Sequence, residues 1–278
     1  MSIDLSKLPA PTVIEELSFD SLVDAHKQEL LQRQPNLANV INLVSEPLVK
    51  QLEVFAYREM LLRQRINQAA RSNLLAYATG TDLDHKGAFY DLARLADESD
   101  DRYRQRIQYR IASLAGNGTA EQYKLIAMTA SSNVRDSNVY LFAPGVVGLI
   151  LWLSDQSQVE ATESLVTAAM NEPNAKPVGI SILISTAKLK AIDFTATVYR
   201  EPAAPVDLSV QVHRIFIERL ASYAKLGKNI PLSWITSVLH QPYISRVEYG
   251  DSQPDLYQIA FDEYAMPGQI NIIDGGVQ

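Results

Sequence analysis

The chain has 278 residues, 47% of them hydrophobic, a net charge of -7, four histidines and no cysteine. That length and apolar content support a packed core and suggest roughly two domains. The acidic balance argues against nucleic acid or an anionic membrane as the main partner, since both demand a basic footprint. The missing thiols exclude disulfides and zinc–thiolate sites.

Taken in order, residues 1–18 read as an extended arm: Pro9 and Pro11 oppose helix, and Val13, Ile14 and Leu17 are apolar beads on a polar string. No basic stretch leads into an apolar run, so no signal peptide is expected. Nothing approaches the roughly 20 apolar residues of a membrane span. A helix capped by Asp20 runs to about Gln34, where Pro35 ends it. The longest helix starts at Ser45 with Pro47 in its first turn, and no Pro or Gly interrupts it before Gly80. Leu48, Leu52, Phe55, Leu62, Ile66 and Ala69 form an apolar stripe, which Val54, Leu61 and Ala70 widen into a second face. Arg58, Arg63, Arg65 and Arg71 surround it. A helix this long exceeds what one small domain covers, so Leu48, Leu52, Phe55, Leu62, Ile66, Arg58, Arg63 and Arg65 are the candidate inter-subunit interface. The bland alternative is the central helix of a monomeric bundle, covered by the helix at 20–34.

Gly80 to Arg110 is a helical hinge of two helices. Thr81 caps the first, with Asp82 and Asp84 in its first turn, and it ends near Arg94; Ser99 caps the second, with Asp100 and Asp101. Arg102, Arg104, Arg106 and Arg110 stud the second helix and, flanked by acids, read as a solvated or salt-bridged face. Thr119 with Gln122 is a capping box opening a helix to about Ser132. From Val134 the period becomes two. Strands are expected at 134–142 and 146–153, a helix opened by Ser157 and Glu160, then strands at 178–185 and 191–199. Helices follow at 206–226 and 232–240, then a strand at 243–249 and short strands at 257–261 and 269–273. The fold class is therefore α+β: an all-helical N-terminal region with one long helix, then two small α+β modules with antiparallel or mixed sheets. The expected divisions are 1–79, 80–133, 134–187 and 188–278.

Little in the chain looks catalytic. His26, His85, His213 and His240 show no metal-ligand spacing. Asp82, Asp84 and His85 form the one acidic–histidine cluster, but the aspartates also match the helix dipole. No nucleophile elbow, phosphate loop or dinucleotide glycine pattern is present. No catalytic residue, metal or cofactor is expected. The 13 tyrosines and the arginines suit interfaces.

An ordered set of fragments runs through the chain: LPAP at 8–11, VIEEL at 13–17, SEPLVK at 45–50, AYRE at 56–59, RQRIN at 63–67, AAR at 69–71, GTDLD at 80–84 and ESDDRYRQRI at 98–107. KPVG at 176–179, LGKNIPLS at 226–233 and ISRVEY at 244–249 continue it. On these fragments the chain resembles the baseplate J-like proteins, wedge components of contractile phage tails and tailocins. The resemblance implies a structural subunit that pairs with itself as a homodimer within a wedge, with a second wedge protein, with neighbouring wedges and with hub and sheath-end proteins. It implies a link from the central hub and sheath end to the fibre-bearing periphery, rearrangement on contraction, assembly in the bacterial host cytoplasm and residence in the virion tail. No nucleic acid and no membrane insertion are expected. The competing readings are a non-phage cytosolic helical scaffold and a hydrolase using Asp82, Asp84 and His85.

Overall fold

Pro47 supplies a preset first-turn geometry to the longest helix, α2, and the structure, a computed structural model, describes residues 11–43, 45–205, 207–250 and 253–277. Among these residues there are eight α-helices and eight strands, helical first and mixed afterwards, so the chain is α+β. It divides into two compact units, 1–108 and 109–278, with the boundary inside α4.

The first unit holds α1 (Phe19–Arg33), a 3-10 turn (Pro35–Asn39), α2 (Pro47–Ser72), α3 (Gly80–Phe89) and the start of α4 (Asp100–Ser113). Ser18, not Asp20, caps α1, its hydroxyl accepting from the Ser21 N–H. α1 packs along α2 and buries Val23, while α2 buries Val49, Leu52 and Ala56. α2 has 26 residues, about 39 Å at 1.5 Å per residue, shorter than the sequence suggests. It stops without glycine or proline because Ser72 Oγ and Asn73 Nδ2 both turn back onto the Ala69 carbonyl, competing with the helical ladder. α3 likewise ends at Phe89 rather than near Arg94. Residues 1–10, most of the expected arm with the LPAP fragment up to Ala10, lie outside the described residues, as does Val44.

The second unit contains α5 (Ala120–Ala130), β1 (Val134–Ala143), β2 (Val146–Leu153), α6 (Val159–Met170), β3 (Ser181–Thr186) and β4 (Lys188–Arg200). α7 (Leu208–Tyr223), β5 (Ile230–Pro231), α8 (Leu232–Leu239), β6 (Ile244–Tyr249), β7 (Leu256–Tyr257) and β8 (Glu263–Val277) complete it. The Thr119 hydroxyl accepts from the Gln122 N–H, but the Gln122 carbonyl reaches back to Gly118 N–H instead of closing the box on Thr119. α6 opens from a short 3-10 turn held by Asp155, not from Ser157. β2 is central in the order β1-β2-β3, antiparallel to β1 and parallel to β3. Its apolar run is buried on both faces: Ile150 and Trp152 join the main core cluster, and Leu149, Leu151 and Leu153 alternate to the other side. The second sheet, β6-β4-β8, pairs β4 antiparallel with β6 and parallel with β8. Ile192, Phe194, Ala196 and Val198 of β4 face Val212, Phe216 and Leu220 of α7 in that same cluster.

β8 runs through Pro267 and the three glycines Gly268, Gly275 and Gly276, where the sequence suggests only a short strand at 269–273. It lies at the sheet edge, where a missing N–H is tolerated, and register shifts opposite Ile192–Phe194 and Val198–Arg200 absorb the extra residues. β7 has two residues, where a longer strand is expected at 257–261.

Candidate assembly interface

At about 100° per residue, α2 has two faces of different character. Val49, Leu52, Ala56, Arg63 and Asn67 share the face turned to α1 and the preceding segment. Val54, Phe55, Arg58, Leu61, Leu62, Arg65, Ile66 and Ala69 fall within an arc of about 140° on the other side. Phe55 is 53% exposed, Leu62 67% and Ile66 60%. Val54 and Leu61 are exposed as well, so five large apolar side chains in four turns of helix are left largely open to solvent among the described residues. Helices of folded domains turn such a stripe inward; α2 does so once and repeats it outward. Arg58 and Arg65 are exposed among these apolar residues, seven positions apart.

The structure thus separates the eight candidate residues. Leu52 is buried within the chain and Leu48 is partly buried. Arg63 donates to Glu59 at 2.8 Å and to Glu15 at 2.8 Å, and these two carboxylates hold its guanidinium above its ordinary pKa. Phe55, Leu62, Ile66, Arg58 and Arg65 remain together on the outer face.

The inner face carries a polar clasp that pattern reading misses. Asn67 is buried, and its amide pairs with the backbone of Glu15 in both directions: Glu15 N–H donates to Oδ1 at 3.1 Å, and Nδ2 donates to the Glu15 carbonyl at 2.8 Å. His26 Nε2 of α1 lies 3.0 Å from Glu59 of α2. Asn67 keeps phase with Val49 and Ala56, which is the signal that would have found it.

Below α2 the acidic corner and the arginine-rich helix form one network. Glu98 is 8% exposed and Arg106 1%; Arg106 Nη1 donates to Glu98 Oε2 at 2.6 Å and to the Ala93 carbonyl at 3.2 Å. Arg102 donates to the other oxygen of Glu98, whose Oε2 also accepts from Leu95 N–H. Burial lowers the Arg102 pKa despite that partner. Arg104 reaches the carbonyls of Leu75 at 2.9 Å and Ala78 at 2.8 Å, fixing the segment after α2. Arg94 bridges Asp84 at 2.6 Å and Asp100 at 2.8 Å, and its guanidinium lies over the Tyr103 ring. Asp100 accepts from Gly80 N–H, capping α3 from another helix, and that bond followed by Arg94 holds its carboxyl below the usual carboxylate range. Tyr103 Oη donates to the Leu92 carbonyl at 2.6 Å, passing so close to Gly87 that a Cβ there would overlap the hydroxyl. Arg102, Arg104 and Arg106 of α4 are therefore salt-bridged, as their acidic neighbours suggest. The burial of Arg106 is the correction to a solvated face: its charge is held inside because Glu98 and a carbonyl meet it.

Asp84 is committed to Arg94, while Asp82 and His85 are exposed on α3. Among the described residues no group of three or more His, Cys, Asp or Glu side chains is placed to hold a metal, and no helix is long and apolar enough to cross a membrane.

Residues 45–101, from the residues just before α2 to the start of α4, match the model of the baseplate J-like N-terminal domain. Over 281 residues the chain is 34% identical to baseplate protein J of Escherichia phage P2, covering 91% of this chain and 92% of that protein.

Proposed function

This chain belongs to the baseplate J-like family of phage baseplate structural proteins, and from that premise we propose that it is a wedge subunit of a contractile tail or tailocin baseplate. In this reading it links the central hub and sheath end to the fibre-bearing periphery and rearranges when the tail contracts. Its partners are a second copy, a second wedge protein, neighbouring wedges and hub and sheath-end proteins, and it assembles in the host cytoplasm. Residues 1–79 and 80–133 serve as the arm-and-helix region and the hinge, and 134–187 and 188–278 as two α+β modules.

The observation that supports this reading best is the outer face of α2. It lies within the segment matched to the family domain, and among the described residues it leaves Phe55, Leu62 and Ile66 more than half exposed. Covering such side chains removes apolar area worth about 25 cal/mol per Å2, which favours a partner helix. The test is light scattering of the chain alone and co-expressed with the tail proteins encoded beside it. A stable homodimer, or a larger complex containing a second tail protein, supports the wedge reading. A monomer that co-purifies with none of them contradicts it.

A further inference from the structure

Seven residues make two turns of helix, about 10.5 Å along the axis, and three rows of the outer face of α2 repeat at that interval. Phe55 and Leu62 form one row, Val54 and Leu61 a second, and Arg58 and Arg65 the third. At about 100° per residue the arginine row runs between the two apolar rows. In heptad terms Phe55, Leu62 and Ala69 take position a and the two arginines take position d, so the cations sit in the seam and not at its rim. Arg63, Arg94, Arg102, Arg104 and Arg106 of the same unit each meet a carboxylate. Arg58 and Arg65 are exposed, and neither has a hydrogen bond or ion pair among the described residues. The two acids of α2 are engaged elsewhere: Glu53 with Lys50, and Glu59 with His26 and Arg63. In a chain of net charge -7, this face carries two positive charges and no negative one.

We infer that the occupant of this face is a helix of a different protein, one whose apolar stripe carries two carboxylates seven residues apart, one for each arginine. This rests on the reading of the outer face of α2 as the assembly surface, and it names what that surface selects. The apolar rows on both flanks call for an apolar partner, and covering them takes both guanidinium groups out of water. A charge is tolerated there when an opposite charge and hydrogen bonds meet it. A guanidinium matches a carboxylate through two parallel N–H···O bonds. A helix is the element that presents apolar side chains and acids together at this spacing. A second copy of α2 does not fit. The stripe from Val54 to Ala69 and the arginine pair share one midpoint, between Leu61 and Leu62. Antiparallel pairing centred there sets Arg58 of one copy against Arg65 of the other, twice, and in-register parallel pairing sets each arginine against itself; both oppose like charges. Arg58 and Arg65 therefore act as specificity residues, opposing a wholly apolar or basic helix and favouring an acidic one.

The test titrates the full-length chain into two fluorescently labelled helical peptides of leucine heptads. They differ only at two positions of the stripe seven residues apart, glutamate in one and lysine in the other. By anisotropy, the glutamate peptide is expected to bind at least about thirtyfold more tightly. Arg58→Leu with Arg65→Leu changes two exposed side chains, and retention of the fold is checked by circular dichroism and tryptophan fluorescence. It strands the partner's carboxylates, so it is expected to lose at least about thirtyfold in affinity for the glutamate peptide and to drop out of the complex with the co-expressed tail proteins. Arg58→Lys with Arg65→Lys keeps the charge and is expected to lose less than about tenfold. The wild-type preference between peptides needs no variant, so it decides the matter even where a variant fails to fold. No preference for glutamate, or a leucine variant that binds the glutamate peptide as wild type does, would overturn the inference. If wild type enters no tail complex yet prefers the glutamate peptide, the wedge reading fails and the acidic helix stands. If the leucine variant enters the tail complex unchanged while Phe55→Ser with Leu62→Ser is shut out, the wedge reading stands and this inference is overturned.

Discussion

The two units are built on opposite plans. In 109–278 the main apolar cluster draws residues from Ile150 to Ala265, with Phe194 and Phe216 edge to face at 5.0 Å, and the pairs Lys188–Asp262 and Arg246–Glu248 lie at the surface. In 11–108 a charged pair is buried while Phe55, Leu62 and Ile66 face water. A fully buried aliphatic or aromatic side chain contributes about 1.5–3 kcal/mol, which accounts for the first plan. A buried salt bridge is a weak source of stability against an apolar replacement, but removing one partner is costly because the other charge is stranded. The helical unit thus combines a buried charged pair with an exposed apolar stripe on α2, the surface proposed above for other chains.

Both tryptophans, Trp152 and Trp234, lie in 109–278, so their fluorescence follows that unit alone. Glu98→Ala strands Arg102 and Arg106 and is expected to cost about 3–5 kcal/mol. The loss is expected in a urea transition read by helical circular dichroism, with the tryptophan transition unmoved. Phe216→Ala is the counterpart: about 3–5 kcal/mol lost from the tryptophan transition. If each variant shifted both transitions equally, the two plans would not be energetically separate. Gly87→Ala comes next, at about 1–3 kcal/mol, because its Cβ would overlap the Tyr103 hydroxyl and stand 2.8 Å from the Leu92 carbonyl oxygen. Adding Tyr103→Phe is expected to restore part of that loss.

Asp100→Ala is smaller, about 0.5–1 kcal/mol, and depends on pH. The carboxyl's pKa is lowered in the folded chain, so its contribution is complete above the ordinary value of 3.8 and is lost as pH falls through the lowered one. The stability gap between wild type and Asp100→Ala should narrow below about pH 4; a gap that widened there would contradict the cap.

Legibility in the sequence followed the same divide. β1, β2 and α7 are apolar in the period of their element, and the structure places them near where pattern puts them. The caps at Ser99 and Thr119 are legible because one side chain meets one nearby N–H. What pattern could not supply was tertiary. α2 ends at Ser72 through side-chain bonds to Ala69, and the following segment is held by Arg104, 29 residues from Leu75. Arg106 looks like any helix-surface arginine until Glu98 is placed against it. On α2 the sequence puts Leu52 and Phe55 in one stripe, widened into a second face by Val54, Leu61 and Ala70; only the position of α1 shows that Leu52 belongs to the inner face and Phe55 to the outer. β8 is obscured by Pro267 and the glycines that form its bulges.

The smallest expected effect on stability is also the most direct test. Phe55→Ser with Leu62→Ser changes two exposed side chains and should alter the unfolding midpoints by no more than about 0.5 kcal/mol each. The account predicts that this variant, co-expressed with the neighbouring tail proteins and sized by light scattering, folds like wild type but fails to enter their complex. A variant that enters it as wild type does would contradict the claim that the outer face of α2 is the assembly surface.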